Sequence, residues 1–310
     1  MTLAFILGDP ERRESAVTIG SFDGVHLGHR KVLDLLASVA DDRGLSAVVA
    51  TFDPHPRVVL GGQHPELLTS VEERSNLLAE LGIERFAAID FTHDIASMSP
   101  ELFVEDILVN RLGARAVIVG HDHRFGQDRR GDVNLLKALG GHHGFDVIQC
   151  DPLEWEQATV SSSRVRSLLR TGDVSGAAML LGRRYAVSGR VIHGAGRGRR
   201  IGIPTANISP LSLEQLIPGI GVYAVLVSLP GASELHPGMM NIGRRPTFDG
   251  VDIHLEVHLL DWSGDLYERE VRVEFVQRIR NEQKFDSVDG LIQQLNKDRD
   301  RCSALLRDLS

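Results

Sequence analysis

Apolar residues fall into two rhythms along the 310-residue chain, and the change between them comes near Gly182. From Val17 to about Phe145, short apolar runs alternate with segments whose apolar positions recur at helical spacing. Val17 to Ile19, Ser46 to Phe52, Phe86 to Ile89, Ala116 to Gly120 and Phe145 to Gln149 read as strands. Lys31 to Arg43 reads as a helix, Ser70-Val71-Glu72-Glu73 as a capping box opening a helix to Leu81, and Ser99-Pro100 as the start of a helix to about Leu112. Strands separated by such helices predict βαβ units and a parallel sheet, with ligands at the carboxyl ends of the strands. After Arg183-Arg184 the chain reads as short strands between Gly/Pro turns: Tyr185 to His193, Gly221 to Ser228, Ile253 to Leu260 and Glu270 to Val276. Strict alternation from Glu270 to Phe275 gives one buried and one wet face, hence an antiparallel, barrel-like second domain closed by a helix from about Ser287 to Leu309. The expected organisation is α/β followed by all-β, with domains 1–182 and 183–310.

Composition narrows the function classes. With 42% hydrophobic and 25% charged residues the balance is that of a soluble globular protein. A net charge of −8 argues against a general nucleic-acid or membrane-surface binder, although a local basic loop can still hold phosphate. The two cysteines, Cys150 and Cys302, suggest neither a disulfide framework nor a thiolate metal site, and a reducing cytoplasm fits. No apolar run reaches the roughly 18 residues of a membrane span, and Asp9, Glu11, Arg12 and Arg13 stand where a signal peptide would be apolar. The expected partners are small molecules, and the expected state is a monomer or weak homo-oligomer.

Chemistry concentrates first at Gly20-Ser21-Phe22-Asp23-Gly24-Val25-His26-Leu27-Gly28-His29, between a predicted strand and a predicted helix. Glycines in the turn let the backbone approach a ligand, and the helix start directs free N–H groups and its positive dipole end at an anion. His26 and His29, three residues apart, can reach one phosphate by hydrogen bonds or positive charge; the plainer reading is two solvated histidines in a Gly-rich turn. Asp53-Pro54-His55-Pro56-Arg57 and Gly120-His121-Asp122-His123 also follow strands and should line the same crevice. Val160-Ser161-Ser162-Ser163-Arg164-Val165-Arg166 supplies hydroxyl caps to a helix carrying two arginines.

GSFDGVHLGH resembles the N-terminal signature of the bacterial bifunctional riboflavin kinase/FAD synthetases, within the HxGH nucleotidyltransferase superfamily. The 160–166 segment is similar to that family's second nucleotide signature, with Ser163 and Arg166 at its hydroxyl and arginine positions. The resemblance implies a Rossmann-like nucleotidyltransferase domain whose nucleotide is held by Gly20, Phe22, Asp23, Gly24, Ser162, Ser163 and Arg166, with His26 and His29 catalytic and Asp122 on the flavin.

A second stretch, Gly194-Ala195-Gly196-Arg197-Gly198-Arg199-Arg200, is a cationic flap suited to polyphosphate, although RG-rich runs also occur as solvated or RNA-touching loops. Pro204-Thr205-Ala206-Asn207 after it resembles the riboflavin kinase motif in which Thr205 and Asn207 would hold Mg²⁺ on ATP, both being hard oxygen ligands. Gly196, Arg197 and Gly198 would then touch nucleotide. Glu256, in Leu255-Glu256-Val257-His258, matches the family glutamate that takes a proton from a hydroxyl nucleophile. Asn241 to Phe248, including the flavin contacts Asn241 and Arg245 that the family implies, and Asn281 to Phe285 also resemble family signatures. The likeness runs from about Val17 to Leu306. His123 stands where the family has Phe, leaving open a metal pair with His121; Ile203 and Ala195 also depart from the pattern. The implied activity is phosphorylation of riboflavin by ATP to FMN, then adenylylation of FMN by ATP to FAD and pyrophosphate. A chain with one inactive domain, or a flavin- or RNA-binding regulator, are the rival readings.

Overall fold

The computed structural model describes residues 14–309 except 62–65, 84, 195–197, 199, 200, 233, 248 and 249. The chain divides into two compact units, Met1–Ser162 and Ser163–Ser310.

In the first unit β1 (Ser15–Ile19), β2 (Ser46–Asp53), β3 (Arg85–Asp90), β4 (Ala114–Gly120) and β5 (Asp146–Cys150) form a parallel sheet in the order β3-β2-β1-β4-β5. The helices are α1 (Leu27–Arg43), α2 (Pro56–Gly61), α3 (Val71–Glu80), α4 (His93–Ala96), α5 (Pro100–Phe103) and α6 (Val133–His143). Successive strand residues serve opposite faces. Val17, Val48, Ala87 and Val117 pack with Phe103, Ile107 and Leu136, while Ala16, Val49, Phe86 and Ile118 pack with Leu33, Leu36, Leu77 and Leu78. Burial on both faces is why these strands read as unbroken apolar runs. The strand order reverses between β1 and β4, and that switch point is where such sheets open a crevice.

Two helices differ in detail from expectation. α1 begins at Leu27, ahead of Lys31, because His26 caps it from an extended conformation. The helix expected from Ser99 to Leu112 is present, but after α5 it is wound as a π-helix over Val104–Arg111, with Leu112 N–H donating to Ile107 O at 3.0 Å. A short hairpin, β6 (Glu154–Trp155) with β7 (Ala158–Thr159), precedes α7 (Ser162–Thr171).

The second unit is a closed antiparallel barrel. Its strands are β8 (Tyr185–Ile192), β9 (Ala206–Pro210), β10 (Gly221–Ser228), β11 (Leu235–Thr247), β12 (Gly250–Leu259) and β13 (Glu270–Arg280), in the order β10-β11-β12-β9-β8-β13. The pattern does not announce β9, a short strand behind the flap, or β11, which contains Pro237, Gly238, Gly243 and Pro246. The terminal helix α9 (Val288–Leu306) lays Cys302 and Leu306 on Val222, Ala224 and Leu226 of β10. Arg280 Nε and Asp298 Oδ2, 2.8 Å apart and nearly buried, tie α9 to β13, and Gln294 Nε2 donates to the other carboxylate oxygen at 2.8 Å.

The helix α8 (Val174–Leu181) precedes the seam at Gly182 yet packs on β13 and β8, with Ser175 Oγ donating to Val276 O at 3.2 Å. Periodicity identifies such a helix without saying which neighbour covers its apolar face. Val174, Ala177, Leu180 and Leu181 are all buried, and each larger side chain is worth about 1.5–3 kcal/mol when removed from water. A fragment of residues 163–310 is therefore expected to melt cooperatively, and one of residues 183–310 to melt roughly 10 °C lower or aggregate, at about 2–4 °C per kcal/mol. Calorimetry and gel filtration of the two fragments check this; equal melting temperatures would show that α8 does not support the barrel.

Candidate active sites

The turn after β1 is a strained backbone held by buried polar groups. Phe22 at φ +45° and Val25 at φ +39° sit in the left-handed region, an outlying conformation for a β-branched residue. Such strain persists where surroundings over-determine it, and it clusters at functional sites. Asp23, fully buried, accepts from Leu68 N–H at 2.9 and 3.1 Å and from Thr69 N–H at 3.0 Å. Thr69 Oγ1 accepts from Gly24 N–H at 3.0 Å and donates to Asp23 Oδ1 at 3.3 Å. Thr51 Oγ1 donates to Ser21 O at 3.4 Å. Arg74 joins the two threonines, donating to Thr51 Oγ1 at 3.2 Å and to Thr69 O at 3.3 Å. Ser162 Oγ, at the start of α7, donates to Asp23 O at 2.9 Å. Of the residues expected on the nucleotide, Asp23 thus shapes the turn, Phe22 is buried in the α1 core with its ring 5.1 Å from that of His29, and Gly20 is bonded through its N–H to Ala50 O. Ser163 and Arg166 follow Ser162 on α7. Arg74 was hidden in the sequence, where an arginine on an amphipathic helix reads as solvated.

The two histidines meet above this turn. His26 Nδ1 accepts from His29 N–H at 3.2 Å, so the His26 proton resides on Nε2. The rings stack with centroids 3.5 Å apart. A Cβ on Gly28 would lie 3.1 Å from Val160 O and 3.2 Å from the His26 ring, so this glycine allows the close packing of the pair against the segment leading to α7. Burial, then the neighbouring His26, then Arg74 hold the His29 pKa well below its ordinary value. His29 is therefore a neutral hydrogen-bonding group, and its Nδ1 is buried without a partner. An orphaned donor or acceptor at this depth costs about 1–3 kcal/mol unless a ligand or water pairs it.

The loop after β4, across the switch point, carries Asp122, exposed, with Oδ1 4.0 Å from His121 Nδ1. His123 turns inward, its ring 5.8 Å from that of Phe125. Among the described residues, no three His, Cys, Asp or Glu side chains converge as metal ligands, here or elsewhere.

In the barrel, register assembles the second constellation. Glu256 on β12 pairs with Asn207 on β9 and with Asn241 on β11. The next row, Ile208, Leu255 and Ile242, is buried, so Asn207, Glu256 and Asn241 lie side by side on the opposite, partly exposed face. His258 Nδ1 lies 2.7 Å from Pro204 O and fixes the approach to β9. A Cβ at Gly194 would overlap the Asn207 amide, and one at Gly198 would meet Ile203 O and come within 3.2 Å of Thr205 Oγ1. These glycines leave a cradle around the hydroxyl and amide oxygens, which suits a hard cation carried in by phosphates. Gly196 and Arg197 lie outside the described residues, as does the side chain of Arg245, whose backbone pairs with Asp252. The sequence did not single out His254, whose Nε2 is 2.5 Å from Glu256 Oε1, or place Glu282, whose Oε1 lies 2.7 Å from where a Gly243 Cβ would be.

A strained turn at a parallel switch point, followed by a barrel with an oxygen cradle beside a carboxylate, is the architecture of a two-domain phosphotransferase and nucleotidyltransferase, and the family matches define the chain as one. Residues 9–164 match the FAD synthetase family model and residues 181–306 the riboflavin kinase model. The chain is 41% identical over 283 residues to the bifunctional riboflavin kinase/FMN adenylyltransferase of Escherichia coli K12, covering 91% of this chain and 90% of that protein. It is 36% identical over 295 residues to the Bacillus subtilis protein of the same name, covering 93% and 92%. A crystal structure of a protein described as a macrolide-efflux protein from Streptococcus pneumoniae superposes with a TM-score of 0.86 at 33% identity over 94% of each chain. Among the described residues no helix is long and apolar enough to cross a membrane. The chain belongs to the bifunctional riboflavin kinase/FMN adenylyltransferase family, with both enzymatic domains and with ATP, riboflavin and FMN as substrates.

The inward histidine makes the first unit acid-sensitive. Burial, partly opposed by Asp122, lowers the His123 pKa to about 4. The unfolded chain takes up this proton below about pH 6.5 and the folded chain does not, so stability falls as pH drops from there to about 4 and is level below; the full interval is worth about 3 kcal/mol. His123→Phe is expected to be less destabilised than the parent between pH 7.5 and pH 4.5 in urea unfolding monitored on the first unit. Parallel pH profiles for the two would remove His123 as the cause.

Proposed function

We propose the following division of labour, which the two constellations support. The adenylyltransferase chemistry belongs to residues 1–182 and the kinase chemistry to residues 183–310, with α8 as a support for the barrel.

In the kinase reaction the terminal ribityl hydroxyl of riboflavin attacks the γ-phosphorus of ATP. A hydroxyl is a poor nucleophile until its proton is taken, and Glu256 is the base. Thr205 and Asn207 hold Mg²⁺, which neutralises charge on the phosphates when bound. Gly196, Arg197 and Gly198 close over the nucleotide, and Asn241 and Arg245 hold flavin. The observation that carries this reading is the single row Asn207, Glu256, Asn241, which brings three separately read residues within reach of one substrate.

In the adenylyltransferase reaction the nucleophile is the FMN phosphate, already an anion, so no general base is required. The barrier is the meeting of two anions. His26, His29, the α1 N-terminus, Ser162, Ser163 and Arg166 lower it by supplying hydrogen bonds and positive potential where charge accumulates. Gly20, Phe22, Asp23 and Gly24 present the turn to the nucleotide, and Asp122 meets the flavin. We further propose that the protein works in the cytoplasm on these small molecules, without nucleic acid or membrane, as a monomer or weak homo-oligomer.

Reciprocal substitutions separate the sites. Glu256→Gln is expected to lose about 10² to 10⁴ in the rate of FMN formation while converting supplied FMN to FAD at the parental rate. His29→Ala is expected to accumulate FMN and to lose most FAD formation, since one charge-stabilising donor is commonly worth about 3–4 kcal/mol. Chromatography of flavins after incubation with riboflavin, ATP and Mg²⁺ reads both. Parental FAD formation by His29→Ala, or parental FMN formation by Glu256→Gln, would sink the corresponding assignment.

A further inference from the structure

His254 and Glu256 are two residues apart on β12 and share its partly exposed face. His254 Nε2 lies 2.5 Å from Glu256 Oε1, with both side chains about a third exposed or less. An ionised carboxylate can only accept, so His254 is the donor and its Nε2 bears the proton. The contact engages one oxygen of Glu256 and leaves Oε2 to other partners. On its other side, across the strand pair, His254 faces Gly243. No side chain from that position crowds the imidazole, and Glu282 comes in over the glycine from beyond β13.

A glutamate on an open strand face has three rotatable bonds, and a base that wanders among rotamers spends little time in line with its proton. A base also has to keep one lone pair aimed at the hydroxyl while the other oxygen is fixed. We propose that His254 is a positioning residue for the kinase reaction: donating Nε2–H to Oε1, it fixes the Glu256 carboxylate with Oε2 directed at the terminal ribityl hydroxyl of riboflavin. This rests on the reading of Glu256 as the base. In the step it serves, the hydroxyl proton passes to Oε2, the ribityl oxygen forms its bond to the γ-phosphorus, and the bond from that phosphorus to the β,γ-bridging oxygen breaks. ADP leaves with the electron pair, and Glu256 returns its proton to solvent. His254 neither gains nor loses a proton.

Misplacement of a reacting group by about 1 Å can cost on the order of 10²-fold in rate. His254→Met, similar in size but without a donor, is expected to lower kcat for FMN formation about 10- to 100-fold, with the KM for riboflavin within about twofold of the parent. His254→Gln, whose amide N–H can reach the same oxygen, is expected to recover most of that loss. The melting transition of the barrel unit, compared with the parent's, serves as the control for a folded kinase domain, and Glu256→Gln is measured alongside. Loss of kcat in His254→Met with recovery in His254→Gln supports the proposal. Equal kcat in His254→Met and His254→Gln overturns it, as does a loss in His254→Met expressed in KM alone. If Glu256→Gln itself makes FMN at the parental rate, the assignment of the base fails first, and that outcome is distinct from Glu256→Gln inactive with His254→Met unimpaired.

Discussion

Beneath the Gly20 to His29 turn, Asp23, Thr51, Thr69 and Arg74 are almost wholly buried and are linked by hydrogen bonds that brace the left-handed backbone above them, although Arg74 Nε itself has no partner. Burial draws the Arg74 pKa down, while Asp23, Asp53 and Glu73 oppose that effect. A cation held under the turn in this way contributes positive potential without competing for the hydrogen bonds of any anion that binds above it. It also discourages charge on His29, so that imidazole is neutral over a fixed positive background. Electrostatic preorganisation of this kind needs no rearrangement when the anion arrives.

The two reactions ask different things of their scaffolds. Joining two phosphates requires charge held in place, and on the proposed division of labour the first unit would provide it with a rigid turn, a helix end and side chains locked by burial. Activating a hydroxyl requires one carboxylate with a defined direction, and with Glu256 as the proposed base the barrel would provide it on a strand, where backbone pairing fixes Cα positions closely. The Arg280 and Asp298 pair extends that rigidity past β13, toward the segment that brings in Glu282.

Local features were legible in the sequence and distant ones were not. The strand, turn and helix around His26 and His29 could be read because spacing within ten residues determines them, and doubly buried β1, β2 and β4 announced themselves as continuous apolar runs. The role of Arg74 could not be read, since Thr51 and Thr69 reach it from different segments and only folding brings them together. Asn207, Glu256 and Asn241 were each recognisable by resemblance, yet their common row depends on the register of three strands, two of which carry weak strand patterns. The attachment of α8 to the barrel was hidden for the same reason: periodicity shows that a face is apolar and is silent on what covers it.

Because Asn207, Glu256 and Asn241 face outward through pairing register alone, the kinase constellation has an uneven tolerance for changes in chain length. Side chains alternate along a strand with a period of two, so loss of one residue within β12 before Glu256 would turn that carboxylate into the layer now filled by Leu255 and Val257. The connections at 211–220 and 229–234 lie between strands and carry no such parity, and length can vary there while the row survives. Divergence in this barrel should therefore collect as insertions between strands, while β9, β11 and β12 keep their lengths even where their residues change.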